Sequence, residues 1–259
     1  MLTILTVTVL VLMANVWLAS RLVQQHASDS REHLFWVLCQ PGYTPAERAS
    51  AFGHLATGGN KEWASAQLSD LDLRGISLPG ADLKRAGFNR VNLAGANLVR
   101  AIINRGTLTL SDLTGADLTE ADLSETRFYR AVLKDAKLCR ANLRLAVLQE
   151  IRGEGVDLKV ADLSDADCMM ADLTGADLSG ANLTGVRLEA ASLKDANLSL
   201  ARLNETDLKD ADFTNSNWWR ARGLSPAQLD FLKKEFAPSE NAAPSLKDDY
   251  QEWASRNGR

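Results

Sequence analysis

Between Ala66 and Arg220 the chain advances in steps of five residues without one insertion or deletion. With Leu68 as the first centre there are 31 such pentads. The centre is Leu in 24 of them, and the residue two before it is Ala in 20. An α-helix, at about 3.6 residues per turn, cannot hold this period on one face, and neither can the strict alternation of a strand. A repeat this regular decides the architecture before any other signal.

The spacing itself suggests the shape. The centre and the residue two before it share one face of an extended segment, so Leu and Ala point inward. The residue between them points outward, and it is Asp or Asn in 18 pentads. The last two residues, often Thr-Gly, Ser-Gly or Lys-Asp, must turn the chain before the next pentad. A pentad is therefore a short side plus a corner. Sides joined at corners make a coil, and stacked coils, about 4.8 Å apart, bond through their backbones. Ala fits where inward chains crowd, and Gly suits corners that require a positive φ.

"ADLTG", "ADLSG" and "ANLTG", within residues 171–185, resemble the A(D/N)LXX signature of the pentapeptide-repeat family. The resemblance implies an all-β solenoid, a right-handed quadrilateral β-helix with four pentads per coil. It gives about eight coils and places Phe88 and Phe128 on one face, two coils apart. One pentad departs: "IRGEG", 151–155, has Gly153 where Leu belongs. Register continues on both sides, so the expectation is a dent filled by Ile151 and its neighbours.

Flanking segments complete the domain plan. Residues 2–19 contain no charge and are just long enough to span a bilayer as a helix. They lack the positive leading region and the small-x-small site of a cleaved signal, so residues 1–20 read as a single-pass membrane anchor. Arg21 and Arg31 follow the span, which by the positive-inside rule puts the repeat on the cytoplasmic side. Residues 21–65 read as a linker and an N-terminal capping helix. Leu34, Phe35 and Leu38 form an apolar stripe, and Thr44 with Glu47 forms a capping box. Phe52 and Leu55 face inward there, and Gly58-Gly59 stops the helix. Residues 66–220 are the repeat, and 221–259 a C-terminal capping helix and tail. Trp218 is the expected lid of the Leu column, and Ser225-Pro226-Ala227-Gln228 opens a helix with apolar Leu229, Phe231, Leu232 and Phe236. Around Tyr250 and Trp253 a last helix is expected to dock on the solenoid or on a partner.

No constellation for chemistry is evident. His26, His33 and His54 lie outside the repeat and not at metal spacing, and no nucleotide-binding or nucleophile-elbow fingerprint is present. Cys39, Cys139 and Cys168 are odd in number and lack C-x-x-C spacing, which argues against a disulfide framework or a zinc site. The reading is therefore no enzyme, no cofactor and no metal. Charge is more informative. Arg74 to Arg152 includes 13 Lys or Arg, against 10 acids from Asp70 to Glu150; Gly153 to Arg220 has 6 bases and 13 acids. Proximal coils are thus mildly basic, distal coils acidic. Arg85, Arg90, Arg100 and Arg105 occupy corner positions, and outward Met169 and Met170 suit an adaptable contact. These six residues are the candidate interaction surface. Leu110, Leu145, Val160 and Leu200 also point outward.

The functional expectation is a non-catalytic, membrane-anchored scaffold that presents a rigid surface to a partner protein. Anionic lipid is a candidate contact for the proximal coils. No nucleic-acid partner is expected, and the C-terminal region is where two copies would pair. The alternative comes from the resemblance: some family members mimic DNA and bind type II topoisomerases such as gyrase. That mode wants a uniformly acidic rod.

Overall fold

The computed structural model describes residues 63–257 continuously and, before them, Val37, Tyr43, Thr44, Glu47 and residues 50–52. The chain divides into two compact units, Met1–Gly59 and Asn60–Arg259. In the first unit the predicted capping box is present. The Thr44 N–H and Oγ1 each donate to Glu47 Oε2 at 2.8 Å, and the Glu47 N–H donates to Thr44 Oγ1 at 3.3 Å. Phe52 is fully buried. The apolar segment 2–19, the stripe of Leu34, Phe35 and Leu38, Leu55, Gly58-Gly59 and the histidines lie outside the described residues. Among the described residues no helix is long and apolar enough to cross a membrane.

In the second unit, parallel bridges join the second residue of a pentad to the residue twenty further on, from Gln67 with Gly87 to Arg202 with Arg222. Four pentads thus close one coil. The 31 pentads make nearly eight coils, about 37 Å long at ~4.8 Å per coil. Each side is so short that it contributes one bridged residue, and no continuous strand forms among the described residues. The solenoid is held by single rungs instead of strand ladders.

Every backbone N–H of a regular pentad has a destination, as the pentad 116–120 shows. The Ala116 N–H closes the corner on Leu113 O at 2.9 Å. The Asp117 N–H reaches back one coil to Ala96 O at 2.8 Å. The N–H groups of Leu118 and Glu120 reach forward one coil, to Lys137 O at 2.7 Å and Cys139 O at 2.9 Å. The remaining one, of Thr119, bonds the Asp117 side chain at 3.0 Å. This last bond explains the Asp or Asn at the second position. Of the 18 such residues, all but Asn217 accept the N–H two residues on. The outward acid is a turn-forming side chain and not merely a solvated face.

Corners have one conformation. The fifth residue has positive φ in every pentad from Ser65 to Asn215, between 54° and 70°. That matches the third residue of a type II turn, where Gly is at ease and a β-branched residue such as Val160 is not.

Leu and Ala fill the interior as predicted, and Phe88, Leu108 and Phe128 form one buried column. Where a hydroxyl replaces the methyl of Ala, it finds a carbonyl. Ser111 donates to Phe88 O, Thr126 to Ile103 O at 2.9 Å and Thr206 to Leu183 O at 2.9 Å. At Gly153 the rungs continue unbroken, with Arg152 bridged to both Val132 and Asp172. Ile151 Cδ1 and Leu173 Cδ2 lie 3.5 and 3.3 Å from where a Cβ would sit. The void that remains is about 10 Å³, lined by Leu133, Leu148, Leu158, Leu173 and Cys168 among others. It is a dent, as expected.

Trp at a centre position marks each end. Trp63, one pentad before the predicted start, is already in register: its N–H bonds Asp82 O at 2.6 Å. Trp63 and Trp218 are both fully buried. After a short 3-10 turn, Trp218–Arg220, helix α1 spans Pro226–Phe236 with the predicted Ser225–Gln228 capping box. It closes the last coil with buried Leu232, with Phe236 against Phe213, and with a bond from Gln228 Nε2 to Thr206 O at 2.7 Å. Helix α2, Pro244–Asn257, buries none of its own residues. It holds on through Tyr250 and Trp253, whose rings meet those of Trp218 and Trp219 edge-on. The dock predicted for these two aromatics is therefore onto the solenoid.

Candidate interaction surface

Folding the sequence at a period of twenty sorts the outward residues onto four sides, defined by residues 81–85, 86–90, 91–95 and 96–100 and their repeats. The fifth residues stack as four edges. On these edges, charge is matched coil to coil. Arg90 pairs with Asp70 at 2.6 Å, Arg100 with Glu120 at 2.7 Å, Arg105 with Glu125 at 3.0 Å and Arg130 with Glu150 at 2.7 Å. The Arg100 guanidinium holds the Glu120 carboxyl below the usual carboxylate range, and Arg105 does the same for Glu125. Stacked second positions use an uncharged version of the device. Asn142 donates to Asp122 at 3.1 Å, and Asn182 to Asp162 at 3.0 Å. An amide between two acids relieves their repulsion.

The six candidate residues do not form one patch. Arg85 and Arg105 share the edge after side one, Arg90 and Met170 the edge after side two, and Arg100 the edge after side four. Three of the four arginines serve the internal pairs just named. Among the described residues Arg85 has no such partner. Met170 is 57% exposed, whereas Met169 is half-buried with Arg187 Nη2 4.0 Å from its sulfur.

A different set stands out on side two. Its second positions are Gly87, Thr107, Arg127 and Val147 in four successive coils. None caps the amide two residues on, so the N–H groups of Asn89, Thr109, Tyr129 and Gln149 have no protein acceptor among the described residues. Ser69 and Glu189 on side two share this state, as do Lys134, Glu154 and Lys194 on side three; on sides one and four the cases are isolated from one another. The signal was in the sequence, as missing Asp or Asn in every fourth pentad. It shows only once the period of twenty is known.

Chemistry is poorly served. Among the described residues no group of three or more His, Cys, Asp or Glu is placed to hold a metal. Burial pushes the Cys168 thiol up to about 12, so it stays protonated and unreactive. A cleft of about 410 Å³ lies between the last coil and α2, walled by Leu200, Trp219 and Trp253. Its charged groups, Arg220 with Asp249 and Arg256 with Glu252, are bonded to one another.

A coil of stacked five-residue sides, closed by bridges every twenty residues, defines a repeat protein of solenoid form. The chain belongs to the pentapeptide-repeat family: the family described as pentapeptide repeats (8 copies) matches residues 66–105, 108–144, 141–180 and 181–217, more than half of the sequence. The solenoid is accordingly a right-handed β-helix. No curated protein matches the chain. Among solved structures, HetL, a pentapeptide repeat protein involved in heterocyst differentiation regulation in the cyanobacterium Nostoc sp. strain PCC 7120, is 29% identical, with 64% of this chain and 92% of that one covered and a TM-score of 0.23. A pentapeptide repeat protein of the Arabidopsis thaliana thylakoid lumen is 27% identical over 52% of this chain and 86% of its own, with a TM-score of 0.29. Trypsin-treated QnrB1, a plasmid-mediated fluoroquinolone resistance protein, is 14% identical over 74% and 97%, with a TM-score of 0.49.

Proposed function

We propose that this protein is a non-catalytic scaffold, anchored to a membrane through residues 2–19, whose rigid solenoid presents a surface to a partner protein. The observation that carries this reading is the closed accounting of the regular pentad. Backbone donors and most corner charges are used within the coil, and Leu and Ala fill its interior. The exposed part that varies from coil to coil is the outward side chains, and recognition is assigned to them. The anchor and the cytoplasmic orientation rest on the uncharged segment and on the Arg21 and Arg31 that follow it. Crosslinking with mass spectrometry on the full-length protein in native membranes tests the reading. A reproducible protein partner linked to the repeat supports it, and recovery of the chain in the soluble fraction removes the anchor.

A second reading, mimicry of DNA toward a type II topoisomerase, draws on the distal coils, where 13 acids face 6 bases. Across the whole repeat 23 acids face 19 bases, and the corner pairs neutralise many of them. A gyrase supercoiling assay with the full-length protein separates the two. Inhibition favours the mimic; unimpeded supercoiling leaves the scaffold.

A further inference from the structure

We propose that side two, from Asn89 to Gln149, is the docking strip for an extended acidic segment of a partner protein. This rests on the scaffold reading and says which face acts and what it binds. In 17 pentads the fourth residue's amide is taken by a side-chain oxygen, and in 12 of those the oxygen belongs to an Asp carboxylate. A carboxylate is therefore the group that best fits this position. Side two withholds it five coils running, from Ser69 to Gln149, which leaves a row of amides about 4.8 Å apart whose acceptors must come from outside.

Charge on the strip points the same way. Its outward positions from Gly87 to Glu150 carry Arg90, Arg127 and Arg130 against one acid, Glu150. Arg90 is held by Asp70 and Arg130 by Glu150, which leaves Arg127, exposed at mid-strip, with no ion-pair partner among the described residues. Tyr129, with Arg130 lying 5.0 Å over its ring, and the exposed Leu110 offer apolar contact beside the donors. The strip is bounded at both ends. At one end the Gln67 side chain lies over Gly87 and separates the four amides from the uncapped Ser69 one coil earlier, and at the other Asp167 restores the cap at Met169. Four amides span three coil steps, about 14 Å, which matches about four residues of extended peptide. A phosphate oxygen accepts from a backbone amide as a carboxylate does, so the choice of an acidic peptide rests on the Asp carboxylates that fill this position in 12 other pentads.

The test uses the full-length protein in detergent and fluorescein-labelled octaglutamate, with octaglutamine as control, read by anisotropy at ~0.1 M salt. The expected result is a clear preference for octaglutamate. The variant Thr107→Asn/Val147→Asn changes no charge but supplies two caps, as Asn92 and Asn97 do in their own pentads. It should weaken the peptide about tenfold while the melting temperature holds or rises. Arg127→Gln should weaken it as well. Equal binding of the two peptides overturns the proposal. So does binding that falls with Arg127→Gln but not with the capped variant, since charge alone would then explain it. A preference for phosphatidylserine vesicles over octaglutamate also overturns it. If octaglutamate fails while partner crosslinks arise from another side, the strip is wrong and the scaffold stands. If no side yields a crosslink, the scaffold itself is wrong.

Discussion

At a corner, one residue decides between ease and strain. Val160 holds a φ of 57° and is 57% exposed, so its side chain gains little to offset a left-handed backbone. Val160→Asn should raise stability by about 1 kcal/mol, read as a higher melting temperature. Gly175, at φ 68°, has empty space where a Cβ would project. Gly175→Val should therefore cost about 1–2 kcal/mol through the backbone alone, with no clash to relieve. Inside the coil, Gly153 and Ile151 share one volume. Gly153→Leu should overpack against Ile151 by about 1–3 kcal/mol, and adding Ile151→Ala should recover it. Additive losses in a double-mutant cycle would show that the two sites are independent.

Elements show where reading the sequence succeeds and where it stops. The Leu and Ala columns, the Thr44 and Ser225 caps and the lid at Trp218 were legible because each depends on local spacing. The Asp and Asn at second positions were legible as outward but not as caps, although their place two residues before the corner carries that signal. The paired corners were not legible at all, because Arg100 and Glu120 become neighbours only when twenty residues close a coil. Arginines that looked like an offered surface are mostly used within the molecule. Helix α2 makes a further point at this scale. It buries nothing of its own, yet it covers Trp219, which is 3% exposed. Asp249 fastens it, accepting from Arg220 and from Trp219 Nε1 at 2.7 Å. Arg220 and then Trp219 hold the Asp249 carboxyl below its ordinary range. Its contribution is thus present above about pH 4 and lost as pH falls through the lower folded value. Trp fluorescence and proteolysis of α2 should show it loosening in acid before the coils unfold. Asp249→Asn should loosen it already at neutral pH.

For the whole molecule, regularity and function lie in different places. Sides one, three and four keep most of the caps that finish a pentad internally, while side two gives up five in succession, from Ser69 to Gln149. A solenoid of this kind tolerates such departures because each coil bonds only its neighbours, so a change on one side leaves the next rung intact. Ion pairs along the edges are exposed, and high salt should lower the melting temperature only slightly. The claim on which the rest depends is that a partner reads the outward side chains of the repeat. It is tested most directly by placing a photocrosslinking residue at Thr109, Thr114, Thr119 and Ser124, one per side, in the full-length protein in native membranes. A discrete protein adduct is expected at Thr109 on side two, with little at the other three. No adduct from any side would contradict that claim.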